Sequence, residues 1–161
     1  MPTIDIMGTV HNPPITEKGW HGSETRVKIL PRDFFQNDDY NRGTIEALDV
    51  VVGYPFGINV SNSALEMYAS VPIPQGYKAT GIKIAGTDTG NRVHAFEACV
   101  VGCVIIGLIN TGFGDPARYV GTEYDFDTEM TAGPTNYILV KVLTTAADDY
   151  IYGGYINIEK V

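Results

Sequence analysis

The 161 residues include only two cysteines, one tryptophan and three histidines, and 11 Lys and Arg stand against 19 Asp and Glu, a formal charge of −8. Each shortage excludes something. Nucleic-acid surfaces need clustered cations to meet phosphates, so the acidic balance argues against such a partner. No long apolar run exists: Val100 to Ile109 is apolar but about half the length that spans a bilayer as a helix, and Val104–Ile109 within it is the densest part. The opening Met1-Pro-Thr-Ile-Asp-Ile-Met lacks the basic start and apolar core of a signal peptide, so synthesis in the cytoplasm is the expectation. No window shows a helical stripe.

Cys99 and Cys103 would stand about 13 Å apart along one continuous strand, too far to bond. A CxxxC metal pair would need further thiols or a nearby histidine pair, so buried thiols are the expectation.

What is present is β-forming. Eighteen glycines, ten tyrosines and many short Val, Ile and Thr runs between turn residues point to one all-β domain, an antiparallel β-sandwich with a jelly-roll-like plan. For this mass the scaling laws give roughly 7,900 Å² exposed against about 25,000 Å² unfolded, enough for a real core. Residues 1–24 read as a short strand and an extended arm, and residues 25–161 as the sandwich. The arm follows from Pro13 and Pro14, which remove amide donors and fix φ. Trp20, within it, would anchor the arm against its own domain or a neighbour.

In the sandwich, Thr25 to Leu30 alternates with Val27 and Ile29 inward. Asp33 to Gly43 reads as a polar loop with aromatic pins. Asn37, Asp39 and Asn41 have calcium-loop spacing, but Arg42 stands where an EF-hand needs glycine and Leu48 where it needs an acid. Thr44 to Val52 and Glu66 to Ile73 read as strands, and Gly53 to Ser63, with Tyr54 and Phe56, as a contact loop. Tyr77–Ala85 and Arg92–Val101, separated by Gly86–Asn91, are expected to form a hairpin, with Val104–Ile109 at the centre of the core. Asn136–Thr145 and Tyr150–Glu159 are expected to form a second hairpin, Ile138, Val140 and Val142 facing Ile156 and Ile158.

Candidate chemistry is sparse. Glu123, Asp125, Asp127 and Glu129 would share one face of a strand. That pattern suits a divalent ion, an acid/base pair for glycoside hydrolysis, or a solvated face. Gly107–Gly114 has recurring glycines but no phosphate lysine, and the scattered His11, His21 and His94 come without a GxSxG elbow.

Four stretches, Val71-Pro-Ile-Pro-Gln-Gly-Tyr-Lys-Ala-Thr80, Val93-His-Ala-Phe-Glu-Ala98, Thr135-Asn-Tyr-Ile-Leu-Val140 and Asp149-Tyr-Ile-Tyr-Gly-Gly-Tyr155, resemble small β-rich virion proteins of tailed bacteriophages, particularly marine ones. The resemblance covers roughly Glu66 to Val161 and carries no catalytic signature. It implies a virion structural protein made in the host cytoplasm, a capsid decoration (cement) subunit touching the major capsid or other virion proteins. It further implies a homo-oligomer, with a trimer favoured, and no enzyme activity, cofactor, metal, nucleic acid or membrane. The other reading is a receptor- or carbohydrate-binding module of a phage tail or fibre, and an enzyme using the acidic strand ranks third. The expected partner-binding residues are Pro13, Pro14, Trp20, Tyr54 and Phe56, because periodicity breaks there and aromatics remain. Trp20→Ala should weaken particle or oligomer binding in a co-sedimentation assay; full retention would remove the arm from the contact.

Overall fold

The computed structural model describes residues 22–36, 57–61, 63, 65–101, 106–109 and 118–161, and the backbone of 3–4, 10–11 and 45–47. Among the described residues thirteen strands follow in order: β1 Thr3–Ile4, β2 Val10–His11, β3 Arg26–Ile29, β4 Phe34–Gln36, β5 Ile45–Ala47, β6 Ile58–Val60 and β7 Glu66–Val71. Then come β8 Tyr77–Gly86, β9 Arg92–Cys99, β10 Ile106–Gly107, β11 Glu123–Thr131, β12 Asn136–Leu143 and β13 Tyr150–Lys160. Two layers result. One sheet has the order β10-β9-β12-β7-β4, the other β11-β8-β13-β6-β5 with β3 also on β13, and β1 pairs with β2. All pairings are antiparallel. The protein is an all-β antiparallel sandwich, and from β7 to β13 the chain passes repeatedly from one layer to the other in a jelly-roll-like manner.

Side-chain alternation builds the core. Val27, Ile29, Met67, Ala69, Val71, Ile82, Ile84, Ile138, Val140, Val142, Ile156 and Ile158 point inward and form one buried cluster, as period-2 patterning requires when one face of each sheet is covered. Ile138, Val140 and Val142 do share the core with Ile156 and Ile158, but across the two layers.

Both expected hairpins are therefore corrected. The two edges of β8 are taken by β13 and β11, and those of β9 by β12 and β10, so Gly86–Asn91 is an arch between layers. Thr144–Asp149 is likewise an arch from β12 to β13. Turn-forming residues permit both geometries, and the partners decide. The arches are tied together. Asp88 accepts from the Gly90 amide at 2.7 Å and the Thr145 hydroxyl at 3.0 Å. Fully buried Asn91 accepts from the Thr145 amide at 2.8 Å.

Two further corrections concern the apolar stretch. Strand β9 ends at Cys99 and turns at Val100 and Val101, so no continuous strand carries both cysteines. Cys99 is only half-buried, its thiol directed to the Val101 carbonyl at 2.9 Å; Cys103 lies outside the described residues. Strand β10 is the edge of its sheet and Ile106 is 47% exposed, while Leu108 and Ile109 are fully buried. Among the described residues of the run, Leu108 and Ile109 reach the core and Ile106 does not. The expected contact loop also contains β6, whose Ile58 and Val60 are buried.

Near the middle of β13, Gly153 adopts φ +101°, and a Cβ on Gly154 would strike the Lys83 carbonyl and Ile84. Gly154→Ala should destabilise by about 1–3 kcal/mol through overpacking. Ile156→Ala, at a fully buried position, should cost about 2–5 kcal/mol, both read from urea denaturation midpoints.

Candidate functional site

The outer face of the five-stranded sheet presents what its inner face does not need. Register sets three rows across it. Tyr119 pairs with Arg92, Arg92 with Leu143 and Leu143 with Glu66. His94 pairs with Lys141, Lys141 with Tyr68 and Tyr68 with Phe35. Gly107 pairs with Phe96, Phe96 with Leu139 and Leu139 with Ser70. Because the neighbours Val93, Ala95, Met67, Ala69, Val140 and Val142 are buried, these residues face outward. Five rings thus lie on one surface: Phe35, Tyr68, His94, Phe96 and Tyr119. With strands about 4.8 Å apart, Tyr68 and His94 are roughly 10 Å apart across β12.

The rings are held. Phe35 and Tyr68 stack with centroids 6.1 Å apart and planes 27° apart, and His94 and Phe96 at 6.3 Å and 6°. The Tyr68 hydroxyl donates to Glu66 Oε2 at 3.1 Å, and Lys141 Nζ donates to Glu66 Oε1. Glu66 thereby fixes Tyr68 on one side and offsets Lys141 on the other. Phe35 is 52% exposed, far more than its inward neighbour Phe34. Burial lowers the His94 pKa from its ordinary value, and the charges of Lys141 and Arg92 lower it further, against a smaller opposing effect of Glu66. The imidazole is therefore neutral at pH 7.

Beyond the third row a shallow groove of about 430 Å³ continues the surface, lined by Ser70, Pro72, Val100, Thr135 and Tyr137. Its Asn136 is already engaged, donating to Glu97 at 2.8 Å and to the Thr131 carbonyl at 3.0 Å while accepting from the Gly133 amide at 2.6 Å. What remains is an aromatic surface edged by charge, with a mainly apolar groove carrying a few hydroxyls at one end. Such a surface favours ligands with alternating apolar faces and hydroxyl edges.

The acidic strand is organised differently from the expectation. Register slips on β8 between Asp125 and Met130, and the Asp127 and Thr128 amides both turn to the Leu108 carbonyl, so the four carboxylates do not form one row. Glu123 accepts from Asn157 at 2.6 Å and Tyr155 at 2.8 Å, bonds that lower its pKa. Glu129 accepts from Lys78 at 2.6 Å. Among the described residues no group of three or more His, Cys, Asp or Glu is arranged to hold a metal ion, and no helix is long and apolar enough to cross a membrane.

Pro13, Pro14, Trp20, Tyr54 and Phe56 lie outside the described residues, as do His21, Asn37, Asp39 and Asn41. The platform residues are far apart in sequence and meet only through strand register, which no local pattern states. The available signal was the apolar or aromatic character of Tyr68, His94, Phe96 and Leu139 at outward positions of their strands.

The depressed His94 pKa fixes a pH dependence. Unfolded histidine titrates near pH 6.5, so the unfolded chain takes up a proton that the native state resists. This stability contribution is complete above that pH and is lost as pH falls through the lower folded pKa. His94→Gln should flatten the decline in Tm between pH 7.5 and 5.0; an unchanged slope would contradict the assignment.

No family model and no curated protein sequence matches the chain. Among solved structures, it is similar to the native family 35 carbohydrate binding module from Clostridium thermocellum, with TM-score 0.40 and 12% identity over 84% of this chain and 98% of that one. It is also similar to the carbohydrate binding module CBM6cm-2 of Cellvibrio mixtus lichenase 5A in complex with cellotriose, with TM-score 0.37 and 16% identity over 84% and 97%.

Proposed function

We propose that the chain is a non-catalytic glycan-binding module, acting as a receptor-binding component of the virion type that its sequence resembles. The observation that carries this is the row Phe35, Tyr68, Lys141, His94, with Phe96 and Tyr119 beside it. A pyranose ring has an apolar C–H face and a polar hydroxyl rim. Rings lying on an open sheet accept the face, and Arg92, Glu66, Lys141 and the groove hydroxyls meet the rim. The Tyr68 to Glu66 to Lys141 chain holds the central ring before any ligand arrives, which reduces the entropy lost on binding.

A second reading, capsid decoration, is favoured by a different feature. Val100 and Val101 are 70% and 69% exposed at the turn after β9, beside the groove, an apolar tip suited to a protein neighbour. In that reading the partner is a capsid protein and the module is one subunit of a homo-oligomer.

The purified chain on a glycan array should bind a defined subset of glycans. Tyr68→Ala and Phe96→Ala should each weaken that binding about tenfold or more, equivalent to about 1.4 kcal/mol, with far-UV circular dichroism unchanged. An empty array, or variants that bind as the wild type does, would reject the glycan reading. Immunogold labelling of particles separates the two roles: label on tails or fibres supports receptor binding, and label spread over heads supports decoration.

A further inference from the structure

His94 occupies the middle of the aromatic surface. On its own strand Arg92 and Phe96 flank it, each two residues away and on the same face. Across the sheet it pairs with Lys141 of β12, and beyond Lys141 stand Tyr68 and Glu66 of β7. On the opposite side Tyr119 pairs with Arg92, Arg118 turns to the ring of Tyr124, and β10 brings Ile106 and Gly107, which carry no charge. We infer that His94 makes glycan binding acid-sensitive: an uncharged glycan lies over the neutral imidazole and is released when that ring takes up a proton. The inference rests on this surface being the glycan site.

Three features of the geometry set the sign. First, the ring is half-buried, and a sugar laid over it removes the water that still reaches it. Losing that water costs an imidazolium far more than an imidazole, because burial penalises the charged form.

Second, the charges around the ring repel a proton on balance. Lys141 and Arg92 act against the imidazolium, and Glu66 opposes them more weakly. The Glu66 carboxylate already accepts from Lys141 and from the Tyr68 hydroxyl. Excluding water lowers the local dielectric and strengthens the net repulsion. A covering ligand therefore pushes the ring further in the direction in which its surroundings already hold it.

Third, the contact that suits an imidazolium does not offset this. The Phe96 ring lies with its centroid 6.3 Å away and its plane 6° from that of His94, and an aromatic ring attracts a cation. That neighbour is in place with and without ligand. Only interactions that differ between the two states shift their balance.

Linkage gives the rest. A glycan that lowers the proton affinity of His94 is itself bound more weakly, by the same factor, once the proton is on. Binding is then tightest at neutral pH and weakens as pH falls through the His94 pKa, which lies below its ordinary value. Most carboxylates, with ordinary values near 4, stay charged through that fall.

The test is calorimetric titration of the full chain with an uncharged glycan selected from the array, between pH 7.5 and 5.0 at constant ionic strength. Binding should be about threefold or more weaker at pH 5.0 than at 7.5. His94→Phe, which keeps a ring on the surface, should flatten that profile whatever its affinity at pH 7.5. Lys141→Met should move the fall to higher pH by removing a repelling cation. The His94 Cε1 proton, assigned in NMR spectra by its loss in His94→Phe, should titrate at lower pH in the saturated complex than in the free chain. Far-UV circular dichroism at each pH separates release from unfolding. No binding at any pH rejects the glycan reading, and the gate with it. Binding that holds its strength to pH 5.0, tightens with acid or keeps its profile in His94→Phe rejects the gate alone. So does a His94 titration that the glycan leaves in place, or an array that yields only acidic glycans.

Discussion

Strand β13 is hydrogen-bonded along both edges, to β8 on one side and to β6 and then β3 on the other. Its inward residues Ile151, Ile156 and Ile158 are buried against the opposite layer. Much of the architecture depends on this one strand being satisfied on both sides. A hairpin with β12 would occupy one of those edges and place both strands in a single layer. The chain instead arches from layer to layer, and the arches need internal polar partners where they bury backbone. Asn91, Asp88 and Thr145 supply them at one end of the sandwich. Buried polar groups are tolerated when they are bonded in this way, and here the bonds also join two connections that are more than fifty residues apart.

Two sheets with a shared core leave two outer faces, and the faces carry different chemistry. One holds rings, stacked in pairs and braced by a carboxylate that is itself paired. The other mixes cations and carboxylates around a tyrosine, Tyr155, which donates to Glu123 while the Arg26 guanidinium lies over its ring. Neither arrangement belongs to one strand. Each row takes a residue from each of four segments, so it exists only when register is right. A one-residue slip in β12 would turn Lys141 and Leu139 inward and break the first face while disturbing the core. Core packing and surface presentation are thus set by the same hydrogen-bond ladder.

The inward half of the fold was legible in the sequence. Val27 and Ile29, or Met67, Ala69 and Val71, alternate with polar neighbours, and burial of one sheet face demands that pattern. Pairing was not legible. Gly86–Asn91 has the composition of a hairpin turn, and nothing local states that β9 will pair with β12 and β8 with β13. Those partners are chosen by long-range packing. The candidate site was hidden for the same reason, since Phe35, Tyr68 and His94 are neighbours only through register. The acidic strand misled in the other direction. Its alternation is plain in sequence, but the register irregularity opposite β8 and the pull of the Leu108 carbonyl on two successive amides break the row.

The central position of β13 also bears on how the molecule is made. Synthesis runs in one direction, and β8, complete at Gly86, must wait for its partner until Tyr150 has emerged. At roughly 5–20 residues per second, the 63 intervening residues take roughly 3–13 s. During that interval a ten-residue strand rich in β-branched and apolar side chains has an open edge, as do β3 and β6. Such edges are templates for joining the wrong chain. On crowded polysomes, where nascent copies stand side by side, the hazard is greatest just before the eleven residues of β13 arrive to fill the gap.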